Sequence, residues 1–154
     1  MMLNEGPRTP TPVEFAQSVA QSDGYELAAA QAALAQSRHP QVRAFAQRMI
    51  ADHEQTARSL REAATASGLE APNPHLGGDQ ARFLNSLQSL RGGEFDREYG
   101  RQQMLAHTSA LAQMRGYAAK GSDPNLRRLA ASAAPLIEGH LQMARQMRDV
   151  LGGG

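Results

Sequence analysis

An all-α fold of four long helices is what this sequence predicts, and three observations carry the prediction. Apolar residues recur at helical spacing in four separate stretches. Strong start signals (Thr11-Pro12, Pro40 and Asp123-Pro124) stand ahead of three of them. Strand-forming residues are sparse, and no stretch alternates apolar with polar for long enough to read as a strand. The 154 residues suffice for one domain with one core. Hydrophobic residues make up 41% but aromatics only 5%, so Ala, Leu and Met build that core and let helices approach closely.

The first helix begins with a capping box. Thr11 is the cap, Pro12 takes the first helical position, and Glu14 reaches back. Phe15, Val19, Ser22, Glu26, Ala30 and Ala33 form its inner stripe, which fades near Ser37. Pro40 restarts the chain, and Val42, Phe45, Met49, His53, Thr56, Leu60 and Ala63 form the second stripe, closed by Gly68. A link this short makes the two helices antiparallel neighbours. Residues 69–78 read as a loop, after which Asp79 is expected to cap a short helix carrying Phe83, Leu84, Leu87 and Leu90. Gly92-Gly93 should break that helix. The third long stripe holds Phe95, Tyr99, Gln103, His107, Ala110, Met114 and Tyr117 and ends at Gly121. Asp123-Pro124 opens the fourth, with Leu126, Leu129, Ala133, Leu136, His140, Ala144, Met147 and Leu151. Pro135 falls inside it and predicts a kink rather than a stop.

The long helices are thus expected near 12–37, 40–67, 94–120 and 124–151, each about 40 Å long at 1.5 Å per residue. The 69–93 connection is too long for a hairpin. Running the length of the molecule, it would make the fold a ferritin-like four-helix bundle with one crossover and a short extra helix. The expected organisation is a disordered segment over 1–10, the bundle over 11–151 and a flexible tail over 152–154.

Composition removes several function classes. The net charge is +1 with both signs scattered, so no basic face offers itself to nucleic acid. There is no cysteine, which excludes disulfides, thiolate metal sites and cysteine nucleophiles. No apolar run approaches the roughly 20 residues needed to span a membrane. The proline-rich start does not read as a signal peptide. Phosphate loops, Gly-x-Ser-x-Gly and His-Glu-x-x-His are all missing, and no nucleophile or acid–base pair stands out, so an enzyme ranks below a binding or structural protein.

One constellation can carry chemistry. His53, His107 and His140 lie on the inner stripes of three long helices, and Glu26 takes the corresponding place on the first. Each sits within about three residues, roughly 4 Å, of its helix midpoint, so stacked helices would bring all four to one depth. A carboxylate and three imidazoles in a core must satisfy one another, hold water or hold a ligand. As a first shell they suit one divalent transition metal: Zn, Fe, Mn or Cu. The same pattern fits a neutral Glu–His network with internal water that only fixes helix register.

The di-iron pattern of Glu-x-x-His pairs is not met, because Ile50 and Ile137 stand three residues before His53 and His140. Asp52 and Glu138 point away from their histidine neighbours around the helix. Asp96 and Tyr99 share a side with Gln103 and His107 and are candidates to orient a histidine, although an aspartate in a first turn also serves the helix dipole. Met49, Met104, Met114, Met143 and Met147 read as core filler before they read as thioether ligands for Cu(I). Arg43, Arg48, Arg58 and Arg61 read as a solvated face.

An ordered set of short motifs carries a family resemblance. It runs from Phe15-Ala16 and Gly24-Tyr25-Glu26 through Pro40-Gln41-Val42-Arg43-Ala44-Phe45-Ala46 to Met49-Ile50-Ala51-Asp52-His53. It continues through Gly93-Glu94-Phe95-Asp96-Arg97-Glu98-Tyr99, His107, Leu126 to Ala130, and Pro135-Leu136-Ile137-Glu138-Gly139-His140-Leu141. From about 13 to 148 the chain resembles the bacterial ferritin-like proteins of domain-of-unknown-function family 4142. The resemblance implies a ferritin-like bundle and makes Glu26, Asp52, His53, Asp96, His107 and His140 the family-like polar positions. It also implies an exported, often periplasmic protein.

Two readings follow. In one, Glu26, His53, His107 and His140 hold a metal, with Asp52, Asp96 and Tyr99 behind them, in storage, sensing or a stress-related role. In the other, the chain is a structural or interaction protein of the cell envelope, pairing with itself or a partner through its arginine-bearing faces.

Overall fold

The computed structural model describes residues 8–152. They form five α-helices and, among the described residues, no strand: α1 (Pro12–Gln36), α2 (Pro40–Ala66), α3 (Gly78–Gln88), α4 (Gly92–Lys120) and α5 (Pro124–Val150). The start signals act as expected. The Thr11 hydroxyl accepts from Glu14 N–H at 3.2 Å, while Glu14 Oε1 accepts from Thr11 N–H at 2.9 Å. Asp123 Oδ2 accepts from Leu126 N–H at 2.9 Å and opens α5. His39 caps α2 through Nδ1, which accepts from Gln41 N–H at 3.2 Å. Gly68, at φ 72°, provides the left-handed turn after α2.

Two boundaries differ from expectation. Asp79 is not the cap of α3: Gly77 holds that position without a side-chain bond, and Asp79 lies in the first turn. Gly92-Gly93 do not lie between helices but form the first turn of α4, Gly92 having φ 58°. Leu90 falls in the short link before them. Pro135 leaves α5 uninterrupted. Of the expected disordered start, residues 1–7 lie outside the described residues, while Arg8 makes a bidentate ion pair with Glu14. Of the expected tail, 153–154 also lie outside.

The helices pack in a ring: α1 against α2 and α4, α5 against α4 and α2. The 67–91 connection runs alongside α1 in the same direction. Gln17 bonds to the backbone of Asn73, Gln21 Nε2 donates to His75 O at 3.3 Å, and at the far end Gln36 Nε2 donates to Leu87 O at 2.9 Å. The crossover therefore carries the chain back along the length of α1. As a result α2 and α4 run one way, and α1 and α5 the other.

The core falls into two apolar halves. One gathers Tyr25, Ala29, Val42, Phe45, Met49, Phe95, Tyr99 and Met147. The other gathers Phe15, Val19, Leu60, Leu111, Met114, Tyr117, Leu126 and Ile137, with Phe15 stacked on Tyr117 at 3.9 Å between centroids. Met49 and Met147 are thus packed core residues. The buried histidines belong to neither half.

Candidate functional site

His53, His107 and His140 converge where the two halves meet. Their ring centroids are 5.3–6.1 Å apart pairwise, and all three residues are buried. One nitrogen from each ring lies within 4.8 Å of the other two. Three atoms no farther apart than that leave a central point at most about 2.8 Å from each, so small side-chain rotations reach the 2.0–2.1 Å of a zinc–imidazole bond.

Each ring is held through one nitrogen and leaves the other free. His53 Nδ1 is 2.8 Å from Asp23 Oδ1, which also accepts from the Thr56 hydroxyl at 2.8 Å. His107 Nδ1 is 2.9 Å from its own helix's Gln103 O. His140 Nε2 is 2.7 Å from Asp52 Oδ2, which also accepts from Arg48 Nε at 2.7 Å. Carboxylates and carbonyls only accept, so each of these nitrogens carries the proton. In the neutral rings this leaves His53 Nε2, His107 Nε2 and His140 Nδ1 as lone pairs, fully buried and with no hydrogen-bond partner in the protein. This second-sphere pattern fixes tautomer and orientation in metal-binding histidines.

The electrostatics follow from these contacts. His140 is pushed down to about 4, first by burial and then by the neighbouring histidines, against the pull of Asp52. His53 moves the other way: burial opposes its charge, but the bond to Asp23 and the fields of Glu26, Asp23 and Asp52 outweigh it. Burial also works against the Asp52 carboxylate, yet the bonds from His140 and Arg48 keep it below its ordinary range. Tyr99 is raised well above the usual phenol range by burial, then by Glu26 and Tyr25, and stays protonated.

Glu26 stands outside the trio of histidines but lines the same cavity, is 2% exposed, and leaves Oε2 without a partner. Asp52 lies where neighbouring helix α5 brings His140 against it, although it points away from His53 on α2. Asp96 and Tyr99 are buried on α4, but neither bonds to a histidine. Asp96 Oδ1 and Tyr99 Oη have no partner, and Tyr99 packs edge-on against Phe45 and Phe95. Glu138 faces outward to Arg115. Arg48, exposed as its solvated-face reading expects, also anchors Asp52.

Sequence reasoning missed Asp23, which is 5% exposed and holds His53. Its neighbour Ser22 was assigned to the stripe. The available signal was the i, i+3 spacing of Asp23 and Glu26 on one helix face. The role of the Gln103 carbonyl leaves no trace in residue identity.

The histidines, Asp23 and Glu26 form the inner end of a cavity of about 520 Å³. Val19, Ala110, Met114, Ala133 and Ile137 wall it, and it reaches the surface past Gln55 and Glu62 of α2 and Arg128 and Ser132 of α5.

Solved structures share this fold. A fragment of a DUF305 protein from Deinococcus radiodurans superposes with a TM-score of 0.77 at 23% identity, covering 97% of this chain and 100% of that one. CopM in its Cu(I)-bound form gives 0.76 at 18% identity, over 93% and 99%. A DUF305 protein of Streptomyces coelicolor, inferred to be secreted, gives 0.76 at 12% identity, over 90% of each chain. At these identities the likeness concerns the fold alone. No curated protein matches the sequence at a significant level. No described helix is long and apolar enough to cross a membrane. A family model described as a domain of unknown function matches residues 2–147, and the chain belongs to that family, DUF4142.

Proposed function

We propose that this chain is a ferritin-like bundle that binds one transition-metal cation between its two apolar halves. His53, His107 and His140 are the ligands and Glu26 is the nearby carboxylate. Asp23, Asp52 and the Gln103 carbonyl hold the rings. One observation carries the reading. Three buried imidazoles converge so that one nitrogen of each lies within 4.8 Å of the other two, and each ring bonds one nitrogen to an acceptor and leaves the other without a protein partner. With neither a ligand nor water beside it, each such nitrogen would cost about 1–3 kcal/mol. Three neutral nitrogen donors favour Zn(II), copper or Fe(II) over Mn(II), which suits oxygen-rich shells. The Cu(I) form of CopM, on the same fold, supports copper as a candidate occupant. The role is storage, sensing or a stress-related function, and the DUF305 neighbour inferred to be secreted supports an exported setting.

Elemental analysis of untagged protein, followed by titration with Zn(II), Cu(II) and Cu(I), tests the reading. One equivalent bound, and lost in His53→Ala or His140→Ala, is the expected result. A wild-type protein that takes up none of these metals overturns it.

A further inference from the structure

The cavity is far larger than the cation site at its inner end. A metal and one or two waters, at about 30 Å³ each, would leave most of a 520 Å³ space unfilled, and that volume lies within the range of small-molecule sites. Its body is apolar, while its lining includes the three histidines, Asp23 and Glu26, whose free ring nitrogens and Asp23 Oδ2 and Glu26 Oε2 are buried without a protein partner. Its mouth opens between α2 and α5 beside Arg128.

We propose that this cavity is the binding site for a small primary amine with an apolar body, which completes the coordination of the metal held by His53, His107 and His140. The proposal rests on the metal reading above. A three-histidine shell leaves a coordination position open, and all three histidines line the cavity. The chemistry of the inner end selects the head group. An incoming ligand must offer the metal a lone pair and meet Asp23 Oδ2 and Glu26 Oε2 with hydrogen-bond donors. An anionic head does the first but offers the two carboxyl oxygens no hydrogen-bond donor. A neutral amine does both, through one lone pair and two N–H groups. The ammonium form gives its extra proton to solvent on entry, so binding strengthens at mildly alkaline pH. The alanine, valine, methionine and isoleucine walls then take up the hydrocarbon body.

The test uses the full chain loaded with Co(II), whose visible spectrum reports coordination changes. It is titrated with benzylamine, benzyl alcohol and benzoate, and with straight-chain primary amines from methylamine to hexylamine. Benzylamine is expected to shift the spectrum saturably, at least tenfold more tightly than the alcohol or the carboxylate. Affinity along the amine series should rise about fourfold per methylene while the body is being buried. Ala63→Leu and Ala133→Leu, which fill the cavity away from the metal, should weaken hexylamine at least tenfold and leave methylamine and Co(II) affinity within twofold. Co(II) uptake with no spectral response to amines overturns this proposal alone. So does benzoate binding more tightly than benzylamine, or an amine series flat in chain length. Failure to take up Co(II), Zn(II) or copper overturns the metal reading and this proposal together.

Discussion

Replacing His107 with leucine separates metal binding from stability. The residue is 2% exposed, and its Nε2 has no partner in the protein. Its Nδ1 donates to Gln103 O. That carbonyl lies four residues back in α4, so it keeps the helical bond from the backbone N–H of residue 107 when the imidazole is removed. Leucine is close in volume and continues the apolar surface offered by Phe45, whose ring lies 6.3 Å from that of His107. His107→Leu therefore removes an unsatisfied buried acceptor without creating another, worth about 1–3 kcal/mol in favour of the metal-free variant. For a chain of this length each kcal/mol moves the melting temperature by about 2–4 °C, so a rise of about 2–12 °C is expected. The same change removes one of three ligands, so the stabilisation that zinc confers on the wild type should vanish. Thermal melts of chelated and zinc-loaded protein, wild type and variant, provide all four values. A metal-free variant less stable than wild type by more than about 1 kcal/mol would refute the claim that the layer is unsatisfied by protein alone. Undiminished stabilisation by zinc would refute the ligand role of His107.

Other perturbations probe the supporting residues. Asp52→Asn keeps the shape but weakens the acceptor for His140 Nε2–H, and should lower metal affinity about 10- to 100-fold by calorimetric titration; unchanged affinity would remove Asp52 from the site. In metal-free protein His140, depressed to about 4, leaves the folded state binding fewer protons than the unfolded state between about pH 4 and 6.5. Stability should therefore fall by about 3 kcal/mol as pH drops through that window. His53, raised in the folded state, acts in the opposite direction above the ordinary histidine range. The acid loss should be smaller by that amount in His140→Leu, and identical urea-derived pH profiles for the two proteins would contradict the assignment. Gly24→Ala would set a Cβ 2.7 Å from Pro74 O, pressing the crossover off α1, and should cost about 1–3 kcal/mol in urea melts; a neutral or stabilising outcome would show that the crossover is not held there.

Most of the helical architecture was legible because its boundaries are written in local chemistry. Thr11-Pro12 and Asp123-Pro124 each combine a capping side chain with a proline at the first helical position, and Pro40 alone marks the second start, so the starts of α1, α2 and α5 could be read directly. The boundary at Gly92 was read two residues late because glycine predicts a break, yet at a helix start a left-handed glycine can itself be the entry. The depth of His53, His107 and His140 was legible from their distance to the helix midpoints. The contacts that orient them were not. Whether Asp52 meets a histidine depends on α5 lying beside α2, which is a property of the packed helices and not of the α2 sequence. Asp23 was hidden for a related reason: the buried face of α1 is wide enough to take both Asp23 and Glu26, while a single stripe admits only one residue per turn. The cavity between α2 and α5 has no local signature, because small residues such as Ala63 and Ala133 read equally well as close packing.

The central claim is that three free imidazole lone pairs in the core hold a metal ion. Its most direct test is the metal content of untagged protein, with thermal melts before and after chelation and reloading with zinc or copper. The account predicts one ion per chain and, at a hundredfold excess over the dissociation constant, about 2.7 kcal/mol of added stability, which raises the melting temperature by about 5–11 °C. A protein that holds no metal and melts at the same temperature in every state would contradict it.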